Sequence, residues 1–306
     1  MNMKRRHFLN SAALGSAALT LGQVGHAFSP AKAQDAPFQL NYAPHFGMFR
    51  NSAPGGIFNE LDFMAERGFK SLEDNEMKKR SIADQKKIAA SMEKHGMTMG
   101  VFVAHTIFWN EPNLASGKAD WRTQFLKEIE ESVEVAKRVN AKWMTVVPGH
   151  MDLRLDMGYQ TVNVAESLKQ ACDILEPHGL IMVLEPLNKR DHPGLFLSRA
   201  AQAYELCKAV DSPACKILFD IYHQQITEGN LIPNIENTWD EIAYFQIGDN
   251  PGRKEPTSGE INYMNVFKYI HKKGYADILG MEHGNSQSGA AGEEAVIKAY
   301  RDCDSF

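Results

Sequence analysis

The sequence predicts a (β/α)8 barrel, a TIM barrel, that forms a single domain over residues 34–306. Short apolar runs alternate eight times with longer segments of helical period, and no break in composition divides them. Barrels of this type commonly contain about 250 residues in one domain. A doubly wound open sheet is the alternative, but no glycine-rich dinucleotide fingerprint follows the first predicted strand.

The predicted strands are short runs rich in Ile, Leu, Val, Phe or Met and bounded by turn residues, as expected for strands buried on both faces. They cover 38–44, 70–75, 98–105, 142–150, 181–186, 216–223, 243–249 and 278–285. In the first helical segment Ile57, Leu61 and Met64 share one face, and Gly68 ends it. The eight helical segments are 55–68, 81–96, 120–140, 161–179, 198–210, 230–242, 261–274 and 292–303.

Residues 1–33 have the pattern of an export signal. Lys4, Arg5 and Arg6 precede the weakly apolar run SAALGSAALTLG, and an A-x-A sequence ends at Ala33. The paired arginines resemble the twin-arginine type, which carries folded proteins across a bacterial inner membrane. The run is shorter than the about 20 apolar residues of a membrane-spanning helix. We therefore expect a periplasmic protein that begins near residue 34 and has no membrane association after signal removal.

Charge and cysteine content restrict the partners. The net charge is −5, and residues 1–33 contain four Lys/Arg and no Asp/Glu, so the chain without them has a formal charge of −9. This acidic balance argues against nucleic acid or an anionic membrane as partner. The four cysteines show no C-x-x-C spacing, and we expect buried free thiols. We expect a small hydroxy-carbonyl or sugar substrate and a homo-oligomer.

Four consecutive strands in the second half of the chain end in oxygen-bearing side chains: Glu185, Asp220, Gln246 and Glu282. If these strands are neighbours in one barrel, their carboxyl ends lie at the same rim and the oxygens converge. Three carboxylates there would repel one another unless a divalent cation lay among them. Hard oxygen donors favour Mg²⁺ or Mn²⁺ as this metal cofactor, although Co²⁺ or Zn²⁺ would bind if supplied.

The same rim predicts catalytic and substrate-binding groups. Glu185 and Glu282 reach in from different strands and are candidate acid/base residues for proton transfer next to a carbonyl. His223, Arg253 and His150 are candidate substrate-binding residues, because the two histidines end predicted strands and the arginine lies in the long loop beyond another. The planar guanidinium of Arg253 suits an anionic or oxygen-rich substrate. A cation at this rim would polarise the substrate carbonyl and lower the cost of an enediolate.

Three segments resemble the hydroxypyruvate isomerase family of the xylose isomerase-like TIM-barrel superfamily: FDIYHQQITEGNLIPNI, FQIGDNPGRKEPTSGEINYMNVF and GMEHG. The most specific piece is R-x-E-P-x-x-G-E-I-N-Y, from Arg253 to Tyr263. The resemblance implies a divalent-metal aldose–ketose isomerase that acts through a cis-enediolate. It places the metal ligands on Glu185, Asp220, Gln246 and Glu282, the acid/base pair on Glu185 and Glu282, and a substrate contact on His223.

The reaction expected from this resemblance is the conversion of hydroxypyruvate to tartronate semialdehyde. In related ketose epimerases a histidine takes the position of Gln246, so the glutamine favours an isomerase. A 3-epimerase, or an isomerase or lyase acting on a larger or oxidised periplasmic sugar, is the alternative among enzymes. A non-catalytic sugar-binding protein is the alternative of another class. A metal-dependent endonuclease is disfavoured, because such sites need clustered zinc-binding histidines and a basic face.

Overall fold

The computed structural model describes residues 37–306, so the predicted signal peptide and its cleavage site lie outside the described residues. The eight strands are β1 Asn41–Ala43, β2 Ser71–Leu72, β3 Thr98–Met99, β4 Trp143–Val146, β5 Ile181–Leu184, β6 Cys215–Asp220, β7 Ile242–Gln246 and β8 Ile278–Gly280. The α-helices of this part of the chain are α1 Ile57–Glu66, α2 Ile82–Lys94, α3 Ala119–Val139, α4 Met157–Leu175, α5 Ala200–Val210, α6 Ile221–Thr227, α7 Leu231–Thr238, α8 Tyr263–Lys272 and α9 Gly289–Cys303.

The strands are parallel and curl around one core. Six of them pair in the order β1-β8-β7-β6-β5-β4, and β2 pairs with β3. Backbone hydrogen bonds connect the two sets on both sides: the Glu73 N–H donates to the Pro44 carbonyl at 3.0 Å, and the Thr145 N–H donates to the Phe102 carbonyl at 2.8 Å. The predicted (β/α)8 barrel is confirmed.

The boundary between β6 and the next helix differs from the sequence prediction. A strand was expected to continue to His223, but α6 begins directly after Asp220. The Asp220 carboxylate accepts a hydrogen bond from the His223 backbone N–H at 3.1 Å and caps the helix. An apolar run such as KILFDIYH cannot by itself be divided into strand and helix, because both of its halves are buried.

Strand periodicity places the rim residues over the small core of the barrel. That core consists of Ala43, Val101, Trp143, Val183, Leu218, Tyr244 and Ile278. Side chains two apart in a strand point to the same face. Glu185, Asp220 and Gln246 lie two residues beyond Val183, Leu218 and Tyr244, so each points inward one layer above the core.

The outer layer is a continuous apolar core between the helices and the strands. All four cysteines are buried and free, in agreement with the sequence prediction. Among the helices of residues 37–306, none combines the length and the apolar character needed to cross a membrane.

Candidate active site

The polar residues at the ends of β5 to β8 lie close together. Ligand atoms of Glu185, Asp220 and His223 are all within 4.8 Å of one another. One terminal nitrogen of Arg253, Nη2, lies 2.7 Å from Asp220 Oδ2 and 2.6 Å from Glu282 Oε2, which connects Glu282 to the same group. Gln246 is the register partner of Asp220 on the neighbouring strand.

The carboxylates of this site are poorly compensated. Burial raises the pKa of Glu185 well above its usual value, and the charges of Glu282 and Asp220 raise it further. Burial also raises the pKa of Glu282, although Arg253 opposes the shift. When they are ionised, three carboxylates around one guanidinium leave an excess of two negative charges. That excess equals the charge of one divalent cation, so the donor set fits a metal ion.

A hydrogen bond to Glu73 fixes the orientation of the Gln246 side-chain amide. Its Nε2 donates to Glu73 Oε1 at 2.8 Å, and the Tyr244 hydroxyl donates to Glu73 Oε2 at 2.9 Å. Because the carboxyl oxygen of Glu73 accepts from the amide nitrogen, the amide oxygen lies on the other side of the group. This oxygen is buried and has no hydrogen-bond partner in the described structure. An unpaired buried oxygen is costly, and a cation would satisfy it.

Glu73 directly follows β2. Its carboxyl group contacts the side-chain amide of Gln246 and is almost fully buried. Burial and the nearby charge of Glu282 raise its pKa well above the usual value for a glutamate. Gly280 provides the space for this group, since a Cβ atom at that position would lie 1.7 Å from Glu73 Oε2.

His223 has a defined tautomer. The backbone N–H of Asn188 donates to its Nδ1 at 3.3 Å, and Asn188 Nδ2 lies 2.7 Å from the same atom. Nδ1 therefore accepts, and the ring proton is on Nε2. Burial lowers the pKa of His223 to about 4, so the ring is neutral at pH 7. A protonated Nε2 cannot ligate a cation, and His223 is better suited to donate a hydrogen bond to a substrate oxygen.

Nε2 of His223 is available for that contact. It lies 3.6 Å from Asp220 Oδ2 and 3.9 Å from Glu185 Oε1, beyond hydrogen-bonding distance, and it has no other partner in the described structure. His192 lies beside it, with ring centroids 5.5 Å apart, and Trp109 stacks on His192 at 5.1 Å. These three rings contact one another in series, beginning at the site.

Arg253 is held by the loop between β7 and α8. The buried carboxylate of Asp249 accepts the backbone N–H groups of Asn250, Gly259 and Ile261 at 2.8–3.1 Å, which fixes the loop. Arg253 Nε donates to the Glu282 carbonyl at 3.0 Å. The carboxylates of Glu282 and Asp220 outweigh the effect of burial and raise the pKa of Arg253. Its second terminal nitrogen, Nη1, has no hydrogen bond within residues 37–306.

His150 has a different environment from the other predicted site residues. It lies in the loop after β4, where its Nδ1 is 2.7 Å from the Met151 carbonyl. Its ring packs against Gly194, because a Cβ there would lie 2.1 Å from His150 Nε2. None of its contacts in the described structure joins it to the carboxylates.

Sequence reasoning did not identify three residues that hold the site. Asn75 donates to Glu282 Oε1 at 2.9 Å, Asn188 orients His223, and Tyr244 supports Glu73. Asn75 carries a detectable signal, since it belongs to the polar LEDN sequence at the end of a predicted strand. No pattern in the sequence assigns a role to Asn188 or Tyr244, because their contacts with His223 and Glu73 form only in the folded barrel.

A barrel with a compact acidic cluster at the carboxyl ends of its strands has the architecture of a barrel enzyme, with the active site at this rim. The sequence profile described as "Xylose isomerase-like TIM barrel" matches residues 61–303. The chain belongs to this family.

Two relatives carry isomerase names. A 2-oxo-tetronate isomerase from Cupriavidus necator is 28% identical over 255 residues, which cover 80% of this chain and 95% of the relative. A hydroxypyruvate isomerase from Escherichia coli is 28% identical over 255 residues, which cover 77% and 93%. The family and these relatives together define the chain as an isomerase.

Solved structures agree on the fold. A protein described as AP endonuclease, family 2, from Brucella melitensis has a TM-score of 0.73 and 26% identity, and the match covers 83% of this chain and 96% of that one. The IOLI protein with a bound zinc atom has a TM-score of 0.69 and 17% identity, covering 87% and 98%. At 17% identity the likeness extends to the fold alone.

Proposed function

We propose that this protein is a divalent-metal-dependent aldose–ketose isomerase that converts hydroxypyruvate to tartronate semialdehyde. The observation that carries the proposal is the arrangement of Glu185 and Glu282 on either side of Asp220 and Gln246, on four adjacent strands. Glu185, Asp220, Gln246 and Glu282 would hold the cation through oxygen ligands. A divalent cation bound there would act as a Lewis acid and stabilise negative charge on the carbonyl and hydroxyl oxygens of the substrate.

The residues of the chain would perform the proton transfer. One of the two glutamates removes a proton from the hydroxyl-bearing carbon, which gives the enediolate form of the substrate, and the other or the same glutamate returns a proton to the neighbouring carbon. His223 Nε2–H donates to a substrate oxygen. The free Nη1 of Arg253 binds the substrate carboxylate, which favours an acid over a neutral sugar.

The test is a substrate panel with purified, metal-reconstituted protein, followed by proton NMR in D₂O. Hydroxypyruvate is expected to give the aldehyde signal of tartronate semialdehyde, with solvent deuterium entering at carbon 2 of the product. It should also exchange a carbon-3 hydrogen for deuterium whenever the enediolate returns to substrate. Protein stripped with EDTA should lose this activity and regain it with Mn²⁺ or Mg²⁺. Binding without deuterium uptake would indicate a sugar-binding protein, and epimerisation of a neutral ketose without turnover of hydroxypyruvate would indicate an epimerase.

A four-carbon acid is the second candidate substrate. The relative from Cupriavidus necator is named for 2-oxo-tetronate. Such an acid would present the same carboxylate to Arg253 as hydroxypyruvate does, and it has one more carbon. The same panel separates the two, because the preferred substrate has the higher kcat/KM.

The orienting role proposed for Glu73 predicts a change in metal affinity. In Glu73→Gln the new amide can donate as well as accept, so Gln246 is no longer held with its oxygen toward the site. Residues behind metal ligands typically contribute 10–100-fold to affinity, and we expect a loss of about that size for Mn²⁺ measured by calorimetry. Tyr244→Phe is the matched control, because it removes a hydrogen bond to Glu73 and retains the Gln246 contact. An unchanged Mn²⁺ affinity in Glu73→Gln would contradict the role.

A further inference from the structure

Two polar side chains in the loop after β5, Asn188 and Asp191, contact each other, and Asn188 also contacts the ring of His223. Asn188 is fully buried, and its Nδ2 lies 3.0 Å from Asp191 Oδ2 and 2.7 Å from His223 Nδ1. The Asn188–Asp191 pair therefore reaches the ring through Nδ1. The ring approaches the carboxylates of the site through its other nitrogen, Nε2.

The charge of Asp191 identifies which atom of the Asn188 amide faces the ring. The hydrogen bond from Asn188 lowers the pKa of Asp191, and the Tyr222 hydroxyl, which donates to the same oxygen at 2.8 Å, lowers it further. The carboxylate is therefore ionised at pH 7 and can only accept hydrogen bonds. The group beside it must be the NH₂ of Asn188, and the second hydrogen of this NH₂ points to His223 Nδ1.

The other end of the Asn188 amide prevents an exchange of its nitrogen and oxygen. Its Oδ1 accepts the backbone N–H groups of Arg190 at 3.0 Å and of Asp191 at 2.9 Å. A flipped amide would place its NH₂ against these two donors and its oxygen against the Asp191 carboxylate. The amide therefore has one orientation, and Nδ1 of His223 meets a donor.

This donor determines what Nε2 of His223 can bind. Because the ring is neutral, its single proton is on Nε2. Nε2 and oxygens of Glu185 and Asp220 lie within 4.8 Å of one another, a spacing at which all three could bind one cation. Histidines that bind metals donate the proton of the other ring nitrogen to an acceptor, and here that nitrogen meets a donor instead. A hydrogen bond outside the carboxylate cluster thus decides between a nitrogen-containing and an all-oxygen ligand set.

We propose that the Asn188–Asp191 pair keeps His223 from binding the cation and thereby gives the site an all-oxygen ligand set. The role in fixing the ring proton stands on the geometry alone, whereas the effect on the cation rests on the proposed metal-dependent function. An all-oxygen set favours Mg²⁺ or Mn²⁺, and an imidazole ligand favours Zn²⁺. Asn188 and Asp191 are positioning residues, because they act on the cation and the substrate only through His223.

Exchanging the two side chains reverses the donor and keeps the composition. In Asn188→Asp combined with Asp191→Asn, a carboxylate lies against His223 Nδ1, and the amide at position 191 donates to it and still accepts from Tyr222. The backbone N–H of residue 188 opposes this arrangement, but its contact with Nδ1 is the longer one, 3.3 Å against 2.7 Å. A hydrogen bond to a carboxylate is also about twice as strong as a neutral one. The ring proton is therefore expected to move from Nε2 to Nδ1.

Heteronuclear NMR of isotope-labelled imidazole groups in the metal-free protein measures this tautomer, and a His223→Gln variant identifies the signals of the ring by their loss. The wild-type ring is expected to be protonated on Nε2, and the ring of the exchange variant on Nδ1. Asp191→Asn alone is the matched control, because its amide oxygen can accept from both Asn188 and Tyr222, and it should keep the wild-type tautomer. A wild-type ring protonated on Nδ1, or an exchange variant with the wild-type tautomer, would overturn the proposal.

Calorimetric titrations with Zn²⁺ and with Mg²⁺ measure the effect on the cation. The ratio of Zn²⁺ affinity to Mg²⁺ affinity is expected to rise about tenfold or more in the exchange variant, the usual size of effects that act through a metal ligand. It should remain within a few-fold of the wild-type ratio in Asp191→Asn. A reversed tautomer without a change in this ratio would show that the pair does not control the ligand set. Neither measurement uses turnover, so inactivity toward hydroxypyruvate would contradict the proposed function and not this inference.

Discussion

Glu282→Gln is expected to lower kcat for hydroxypyruvate by about 10²–10⁴-fold, the usual contribution of a general acid or base. The substitution keeps the shape of the side chain and an oxygen that can ligate a cation, but it removes the group that accepts the proton. Turnover is measured by proton NMR, and bound Mn²⁺ is measured in the same sample by calorimetry. If turnover is unchanged while metal is still bound, Glu282 is not a catalytic residue.

Two further variants complete this experiment: one is a control for the substitution itself, and the other separates the roles of the two glutamates. Glu93→Gln changes an exposed glutamate on α2 in the same way and should leave kcat unchanged. Glu185→Gln should also reduce turnover, but deuterium uptake at carbon 3 of hydroxypyruvate distinguishes the roles. The variant that loses this uptake lacks the glutamate that removes the first proton, and the variant that retains it lacks the glutamate that completes the transfer.

Gly280→Ala is expected to destabilise the barrel by about 1–3 kcal/mol, the usual cost of overpacking a filled core. The new Cβ would lie 1.7 Å from Glu73 Oε2 and 3.2 Å from the Tyr244 ring, and both neighbours are buried. Because Glu73 cannot remain in place, the amide of Gln246 would lose its partner as well. Urea unfolding measures the loss of stability, and a Mn²⁺ titration measures the effect on the site.

A double-mutant cycle checks the cause of this loss. In Glu73→Ala the new Cβ at position 280 no longer meets the Glu73 carboxyl group. Gly280→Ala should therefore lower the free energy of unfolding clearly less in that background than in the wild-type protein. Gly158→Ala is the control: a Cβ there is 3.5 Å from Asp156 Oδ1, an ordinary contact, and alanine favours the helix by up to about 1 kcal/mol. If Gly280→Ala lowers the free energy of unfolding equally in both backgrounds, the overlap with Glu73 is not the cause of the lost stability.

The fold and the positions of the four strand-end residues were predictable because they depend on local patterns. A short apolar run that ends in Glu185, Asp220 or Gln246 shows both the strand and the residue at its carboxyl end. The end of β6 was less predictable, since the cap that Asp220 provides for α6 depends on where the backbone turns.

The sequence by itself determined the barrel, the acidic rim and the likeness to the hydroxypyruvate isomerase family, because strand period, strand ends and motif residues are properties of neighbouring positions. Only the tertiary structure decided that Glu73 lies beneath Gln246, that Asn188 places the proton of His223 on Nε2, and that Arg253 joins two of the carboxylates. Each of these depends on hydrogen bonds between residues that are 29 to 173 positions apart in the chain. The physical reason is that closing the ring brings distant strand ends within a few ångströms, and no local pattern records which of them meet.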